Sequence, residues 1–520
     1  MGHLRIVGPP CALACPLPAA RRLYAWRRPL ASSHCVVLPM WPPGAAPYGR
    51  PCGHHGGAGT GPSARLRRGG PPASTPALRS VVDAIDELLP FYSGVHRGTG
   101  YLSRLSTAAY ERSRQHVAAF VGADPERDVV VFGKNTTEAL NRLARSLRRG
   151  PDSVVLTTML EHHSNDLPWR ARGRTVVVPA QPDGTLDEDG LDRLLAVYAG
   201  RVALLAVSGA SNVTGVVQPV HRLAEKVHAV GGRILVDAAQ LAAHRPIDMR
   251  AHDDPSNLDF VALSAHKMYA PFGTGALIGR RDSFRGRPDH AGGGTIRAVT
   301  VDDVAWADLP DREEAGSPNV VGAVALAAAM RALREIGLDR IAAHEAEITR
   351  YATDRLAGVP GVTLHGPTGP TGPTGASESV ERDAADIVGT KVGVIPLTVD
   401  GLEHGLVAAV LGYEHGVGVR HGCFCAQPYV HHLLRMDRAE SGLWLDRARD
   451  GDQRARPGMV RISLGAYNDT ADIDRAVRAL EWIMAGEVQG TYRAGPDGSH
   501  LPKGYAEPLL LDLGPPGISG

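Results

Sequence analysis

Arg233-Ile234-Leu235-Val236-Asp237 and Phe260-Val261-Ala262-Leu263 are short apolar runs with no polar alternation inside them. A strand with one wet face alternates apolar and polar residues, so such continuous runs fit strands buried on both faces. The pattern recurs on either side, at Val129–Phe132, Val154–Thr158, Thr175–Val178, Val202–Val207 and Ala276–Ile278. Helical periodicity fills several of the gaps, at Thr137–Leu147, Asp187–Tyr198 and Pro219–Val230. This alternation predicts an α/β fold, a mostly parallel sheet covered by helices on both sides. Ligands of such sheets bind beyond the carboxyl ends of the strands. The polar residues just after each run are therefore where chemistry is to be sought.

Past Gly294 the pattern changes. Val320–Ile336 and Leu338–Leu356 read as long helices with Ala-rich faces. Strands at Val388–Val399 and Met459–Leu464, with helices at Leu402–His415 and Thr470–Met484, make a smaller C-terminal α+β domain. The Gly-Pro-Thr tract Gly366–Gly375 is too short for a collagen-like triple helix and reads as a loop insertion. The expected organisation is a basic arm (1–75), a large α/β domain (76–300), interdomain helices (301–357), a small domain (358–486) and a loosely packed tail (487–520).

Composition bounds the rest. The 520 residues are 43% apolar and 21% charged with a net charge of +1, which gives no bulk field toward nucleic acid or membrane. No run approaches the roughly 18 apolar residues of a membrane span. No Asp or Glu precedes Asp83, whereas ten Arg residues do, amid dense Pro and Gly. Such a segment cannot bury enough apolar surface to order itself, so the arm is expected to be disordered. It reads as translated sequence upstream of the folded protein's own start; a transit peptide is the alternative, opposed by its lack of an amphipathic period. Four of the six cysteines lie in that arm, leaving Cys423 and Cys425 for the folded part. So few point to a reducing, cytoplasmic setting. The spacings of the arm cysteines match no common zinc finger, and no metal site is expected.

The sharpest chemical signal is Ser264-Ala265-His266-Lys267, directly after a run. By itself it fits a surface lysine in a strand-to-loop turn. Desolvated lysine amines, however, form Schiff bases with carbonyl cofactors. The run Arg233–Asp237 ends on a carboxylate, with Gln240 following, and a carboxylate there can hold a pyridinium nitrogen protonated. Thr136 and Thr137 open a helix after Val129–Phe132, a plain N-cap or a phosphate seat. His162 and Asn212 also follow strands, at Val154–Thr158 and Val202–Val207. Five such features at successive strand ends point to pyridoxal 5'-phosphate.

Together these residues resemble the class V aminotransferase family, and within it the cysteine desulfurase and selenocysteine lyase group, from about Pro76 to Met484. The resemblance implies a fold-type I pyridoxal-phosphate enzyme, with a large seven-stranded domain, a smaller C-terminal domain and a homodimer. It implies Lys267 as the imine lysine, Ser264, His266, Thr136 and Thr137 on the phosphate, and His162 stacked on the ring. Asp237 is implied as partner of the pyridine nitrogen, and Asn212 and Gln240 as partners of the phenolic oxygen. Ser317, in Ala315-Gly316-Ser317-Pro318-Asn319, resembles the segment that reaches the neighbouring subunit's phosphate. The family commonly opens on Leu-Asp-x-Ala-Ala; Gly69-Gly70-Pro71-Pro72-Ala73-Ser74 stands there, and the likeness resumes at Thr75-Pro76.

Val419-Arg420-His421-Gly422-Cys423-Phe424-Cys425-Ala426 discriminates among reactions. A loop cysteine near cations is more readily the nucleophilic thiolate. Cys425 matches the persulfide-forming cysteine of the desulfurases, and the Gly-Cys-Phe-Cys run resembles a loop of molybdenum cofactor sulfurases. Arg461 matches the arginine that binds the substrate carboxylate, with Arg420 beside the cysteine loop as a second cation. Guanidinium suits the task because it grips a carboxylate bidentately. The expected activity is removal of sulfur from L-cysteine, or selenium from selenocysteine, with release of alanine and delivery to an acceptor protein. The alternatives are a class V transaminase or other lyase without a persulfide, a degenerate pyridoxal-phosphate scaffold, and a basic-armed nucleic-acid binder.

Overall fold

A computed structural model describes residues 74–505 apart from 97, 148–149, 368–390 and 455. Seven strands form the main sheet: β1 (Asp128–Gly133), β2 (Val154–Thr158), β3 (Thr175–Val178), β4 (Val202–Ser208), β5 (Arg233–Asp237), β6 (Phe260–Ser264) and β7 (Gly275–Arg280). Their order is β1-β7-β6-β5-β4-β2-β3. β7 runs antiparallel to both its neighbours, and every other pairing is parallel. Each predicted run lies within one of these strands.

The reason for the continuous runs is visible in the packing. Val130, Phe132, Leu156, Ile234, Val236, Val261 and Leu263 enter one core cluster. The residues between them (Val129, Val131, Val155, Leu235, Phe260 and Ala262) enter a second cluster on the other face. Side chains of a strand alternate between faces, so both sets must be apolar when helices cover both sides.

One buried ionic knot holds the sheet's edge. Glu314 accepts from Arg114 Nη1 and Nη2 at 2.7 and 2.9 Å, from Tyr110 Oη at 2.7 Å and from the Phe132 amide at 2.7 Å. It joins helix Tyr101–Phe120 to the end of β1, just ahead of the loop that carries Thr136 and Thr137.

The smaller sheet is antiparallel, in the order Val362–Leu364, Val394–Val399, Met459–Ser463, Arg420–Gly422. Helices Leu338–Ala357, His404–Tyr413 and Thr470–Met484 pack on it around a separate apolar cluster. Among the described residues, no helix is long and apolar enough to cross a membrane.

Three expectations need correction. The strand predicted at Val388–Val399 starts at Val394; of its earlier part, 388–390 lie outside the described residues, and Lys391 makes only an isolated bridge to Val216. Residue 75 does not belong to a detached arm: Thr75 is buried, its amide and hydroxyl donate to the His266 carbonyl at 2.9 and 3.1 Å, and its hydroxyl accepts from the Tyr269 amide at 2.7 Å. Between the cysteine loop and Arg461 lie helices Gln427–Leu433 and Arg438–Arg449, the latter opened by an Asp437/Glu440 capping box. The tail is ordered at its start as a hairpin, Tyr492–Ala494 against His500–Pro502. The Glu414 carboxylate holds that hairpin by accepting from the Gln489 and Gly490 amides at 3.0 Å and Tyr492 Oη at 2.8 Å. Polar staples leave no apolar period to read. The Gly-Pro-Thr tract from residue 368 onward, the arm before Ser74 and residues 506–520 lie outside the described residues.

Candidate active site

Beyond β6 the chain makes a single 3-10 turn, Ala265–Lys267, which brings Lys267 to the wall of an open pocket. Thr136, Thr137, His162, Asn212, Asp237, Gln240, Ser264 and His266 line the same pocket. Residues 131 positions apart in the chain thus meet because β1, β2, β4, β5 and β6 all end at the same edge. Burial, opposed by Asp237, pulls the Lys267 ammonium down to about 8, and Arg461 and Arg420 add to that pull. About a tenth of the amine is then free base at pH 7, far more than for an ordinary lysine, and this is the form that attacks a carbonyl.

Asp237 ends β5 and is buried; Oδ1 accepts from the Ala239 amide at 3.0 Å. Desolvation raises its carboxyl above the usual range, against that hydrogen bond and the Lys267 charge. His162 follows β2. Its Nδ1 accepts from the Ser164 amide at 3.1 Å, which leaves the ring proton on Nε2. Burial, then Lys267, pushes its pKa down to about 3, so the ring is neutral at physiological pH.

The helix start at Thr136 is docked onto the end of β6. Thr136 donates its amide to Ser264 Oγ at 2.8 Å, and the two hydroxyls are 2.7 Å apart. That approach requires Gly275 on β7, where a Cβ would stand 2.6 Å from Asn135 Cα and from the Leu263 carbonyl. The Asn135 side chain caps the helix by accepting from the Glu138 amide at 3.0 Å. Thr137 Oγ1 meets Ser164 Oγ at 2.7 Å, tying the helix start to the loop after β2.

The small domain supplies a second group. Arg461 and Arg420 are register partners on adjacent strands. Arg461 is buried; its Nη1 donates to the Asn212 carbonyl at 2.6 Å and its Nε to Ser463 Oγ at 3.1 Å. Burial, then Arg420, lowers its pKa to about 9. Like charges opposed across strands are destabilising, and an anion between them would offset that cost. The Arg461 guanidinium also lies 5.2 Å from the Phe424 ring centroid. Cys425 is exposed and Cys423 buried, with neither in a disulfide. Cys423 donates to the Pro457 carbonyl at 3.0 Å, and burial raises its thiol pKa. Ser317 is exposed and does not line the pocket.

One site residue was not expected. Glu161 is buried, accepting from Thr158 Oγ1 and Asn165 Nδ2 at 2.6 Å and from the Ser208 amide and hydroxyl at 3.0 and 2.6 Å. Desolvation outweighs these donors and raises its pKa to about 7. It clamps the His162 loop to the end of β4. Its signal was a carboxylate directly before the histidine pair.

Pyridoxal phosphate fits this donor set: hydroxyls and a helix N-terminus suit its phosphate, a buried carboxylate its ring nitrogen and a partly deprotonated amine its aldehyde. The fold and pocket are those of a fold-type I pyridoxal-phosphate-dependent enzyme. The model of the aminotransferase class-V family matches residues 71–476, and the chain belongs to that family. A cysteine desulfurase of Dickeya dadantii is 36% identical over 409 residues, 76% of this chain and 87% of that protein. A probable cysteine desulfurase of Streptomyces coelicolor is 34% identical over 425 residues, 79% and 90% of the two chains. The apo structure of a cysteine desulfurase from Thermococcus onnurineus superposes with a TM-score of 0.66 at 32% identity, covering 80% of this chain and 93% of that one.

Proposed function

We propose that the protein is a cysteine desulfurase that draws sulfur from L-cysteine onto Cys425 and releases alanine. The observation that carries this reading is the meeting of two groups: the Lys267 pocket, and the loop of the exposed Cys425, joined at the pocket residue Asn212, which donates to the Phe424 carbonyl at 2.7 Å and accepts from Arg461 at 2.6 Å. Lys267 would hold the cofactor, with Asp237 at its ring nitrogen, neutral His162 against its face, Asn212 and Gln240 at its phenolic oxygen, and Thr136, Thr137, Ser264 and His266 at its phosphate. When bound, pyridoxal phosphate supplies an electron sink that labilises the bonds of the substrate's α-carbon. Arg461 and Arg420 would grip the substrate carboxylate, and the freed Lys267 amine would move the α-proton. The Cys425 thiolate then bonds to the substrate sulfur, the carbon–sulfur bond breaks with its electron pair left on carbon, and that carbon takes a proton. Cysteine and a thiol become alanine and a persulfide.

Exposure of Cys425 suits onward transfer to an acceptor protein. Selenocysteine would be a second substrate, because selenide leaves more easily than sulfide. The apolar surface formed by Leu89, Phe91, Tyr92, Tyr101 and Leu102 supports a homodimer, with Ser317 reaching the partner's phosphate. A cytoplasmic setting agrees with Cys423 and Cys425 both being free thiols.

The test is product analysis with L-cysteine. The holoenzyme should yield alanine and a persulfide mapped to Cys425. Cys425→Ser should abolish alanine formation from cysteine, keep the cofactor's colour and spare much of any selenocysteine activity. Alanine formation that survives in Cys425→Ser would end the persulfide reading, and keto-acid production would establish a transaminase instead.

A further inference from the structure

The second histidine of Glu161-His162-His163 has no part in the reading above, yet it reaches the cysteine loop twice. Its backbone amide donates to the Cys425 carbonyl at 2.6 Å. Its Nε2 accepts from the Gln427 amide, the first of helix Gln427–Leu433, at 3.1 Å. Its ring centroid is 6.4 Å from that of His162, so one turn after β2 serves both the pocket and the loop.

The loop needs such a grip. Phe424 and Cys425 have φ of 53° and 57°, two consecutive non-glycine residues in the left-handed region. Side chains disfavour that conformation, and it persists only where the surroundings over-determine it. Here the carbonyl of each left-handed residue is taken by the large domain: Phe424 by Asn212 Nδ2 at 2.7 Å, and Cys425 by His163. The Gln427 amide, two residues past Cys425, is taken by the His163 ring.

We propose that the His163 imidazole is a positioning residue for Cys425: by accepting from Gln427 it holds the strained loop where the thiolate reaches the substrate sulfur. The proposal rests on the desulfurase reading for its reaction, though not for its geometry. A displacement of about 1 Å can cost about 100-fold in rate.

The experiment compares wild-type holoenzyme with His163→Ala and His163→Gln. In His163→Ala, kcat for alanine formation should fall about 10- to 100-fold, with cofactor absorption unchanged and KM for L-cysteine within about threefold, as expected when only a transition-state contact is lost. Alkylation of Cys425 by iodoacetamide, followed by mass spectrometry, should accelerate as the loop loosens. His163→Gln keeps an acceptor and should recover part of both changes. If His163→Ala does not fold, His163→Phe, which retains the ring volume without the acceptor, takes its place. A kcat within twofold of wild type, lost cofactor absorption, or a glutamine variant no better than alanine would each overturn the proposal. If the wild-type enzyme makes no alanine, the desulfurase reading fails, and the alkylation rates alone still decide whether His163 holds the loop.

Discussion

The lysine turn and the cysteine loop are built in opposite ways. Lys267 stands one turn beyond β6, an interior strand paired with β5 on one side and β7 on the other. Its neighbours Ser264 and His266 are anchored to Thr136 and Thr75. Cys425 follows the edge strand Arg420–Gly422 and takes a left-handed conformation held from outside by Asn212 and His163. Two such residues cost about 1–2 kcal/mol each. On the proposed reading Lys267 holds a cofactor, which suits a rigid strand end, and Cys425 meets a substrate and passes its sulfur on, which suits a loop.

Substitutions in the two regions should therefore fail differently. The largest effect belongs to Lys267→Ala, which should remove the borohydride-reducible adduct and all turnover; an adduct mapped to another lysine would break the comparison at its rigid end. Next, Gly275→Val should destabilise the fold by about 3 kcal/mol through overpacking, because its side chain meets backbone at 2.6 Å on two sides. Urea unfolding would measure that loss, and weakened cofactor binding should accompany it as the Thr136 helix start is pushed off β6. A variant of wild-type stability would show that the helix start is not docked as described. The smallest effect is expected from Cys423→Ser. The Pro457 carbonyl keeps a donor, so stability should change by less than about 1 kcal/mol and alanine formation should persist. A complete loss of turnover in Cys423→Ser would make the two thiols a relay, and the loop a two-sulfur site.

Much of the rigid region was legible from the chain. The seven apolar runs and the polar residues after five of them follow from burying both faces of a parallel sheet. That arrangement writes a continuous signal into local sequence. Glu161 was adjacent to a recognised motif, yet a carboxylate beside two histidines does not reveal that it will be buried under four donors. The small domain was less readable: Val362–Leu364 and Arg420–Gly422 are three residues long, below the length at which a period registers. The hairpin at 492–502 is held by one carboxylate, not by apolar alternation.

The sequence by itself determined the strand ends, and with them Thr136, Thr137, His162, Asn212, Asp237, Gln240, Ser264, His266 and Lys267, because residue type and position after a strand are local properties. Only the tertiary structure decided that Thr75 belongs to the lysine turn, that Glu161 fixes the His162 loop, and that the second histidine grips the cysteine loop. These depend on hydrogen bonds between segments 47 to 264 residues apart, and no local pattern encodes which distant donor a buried carbonyl will meet.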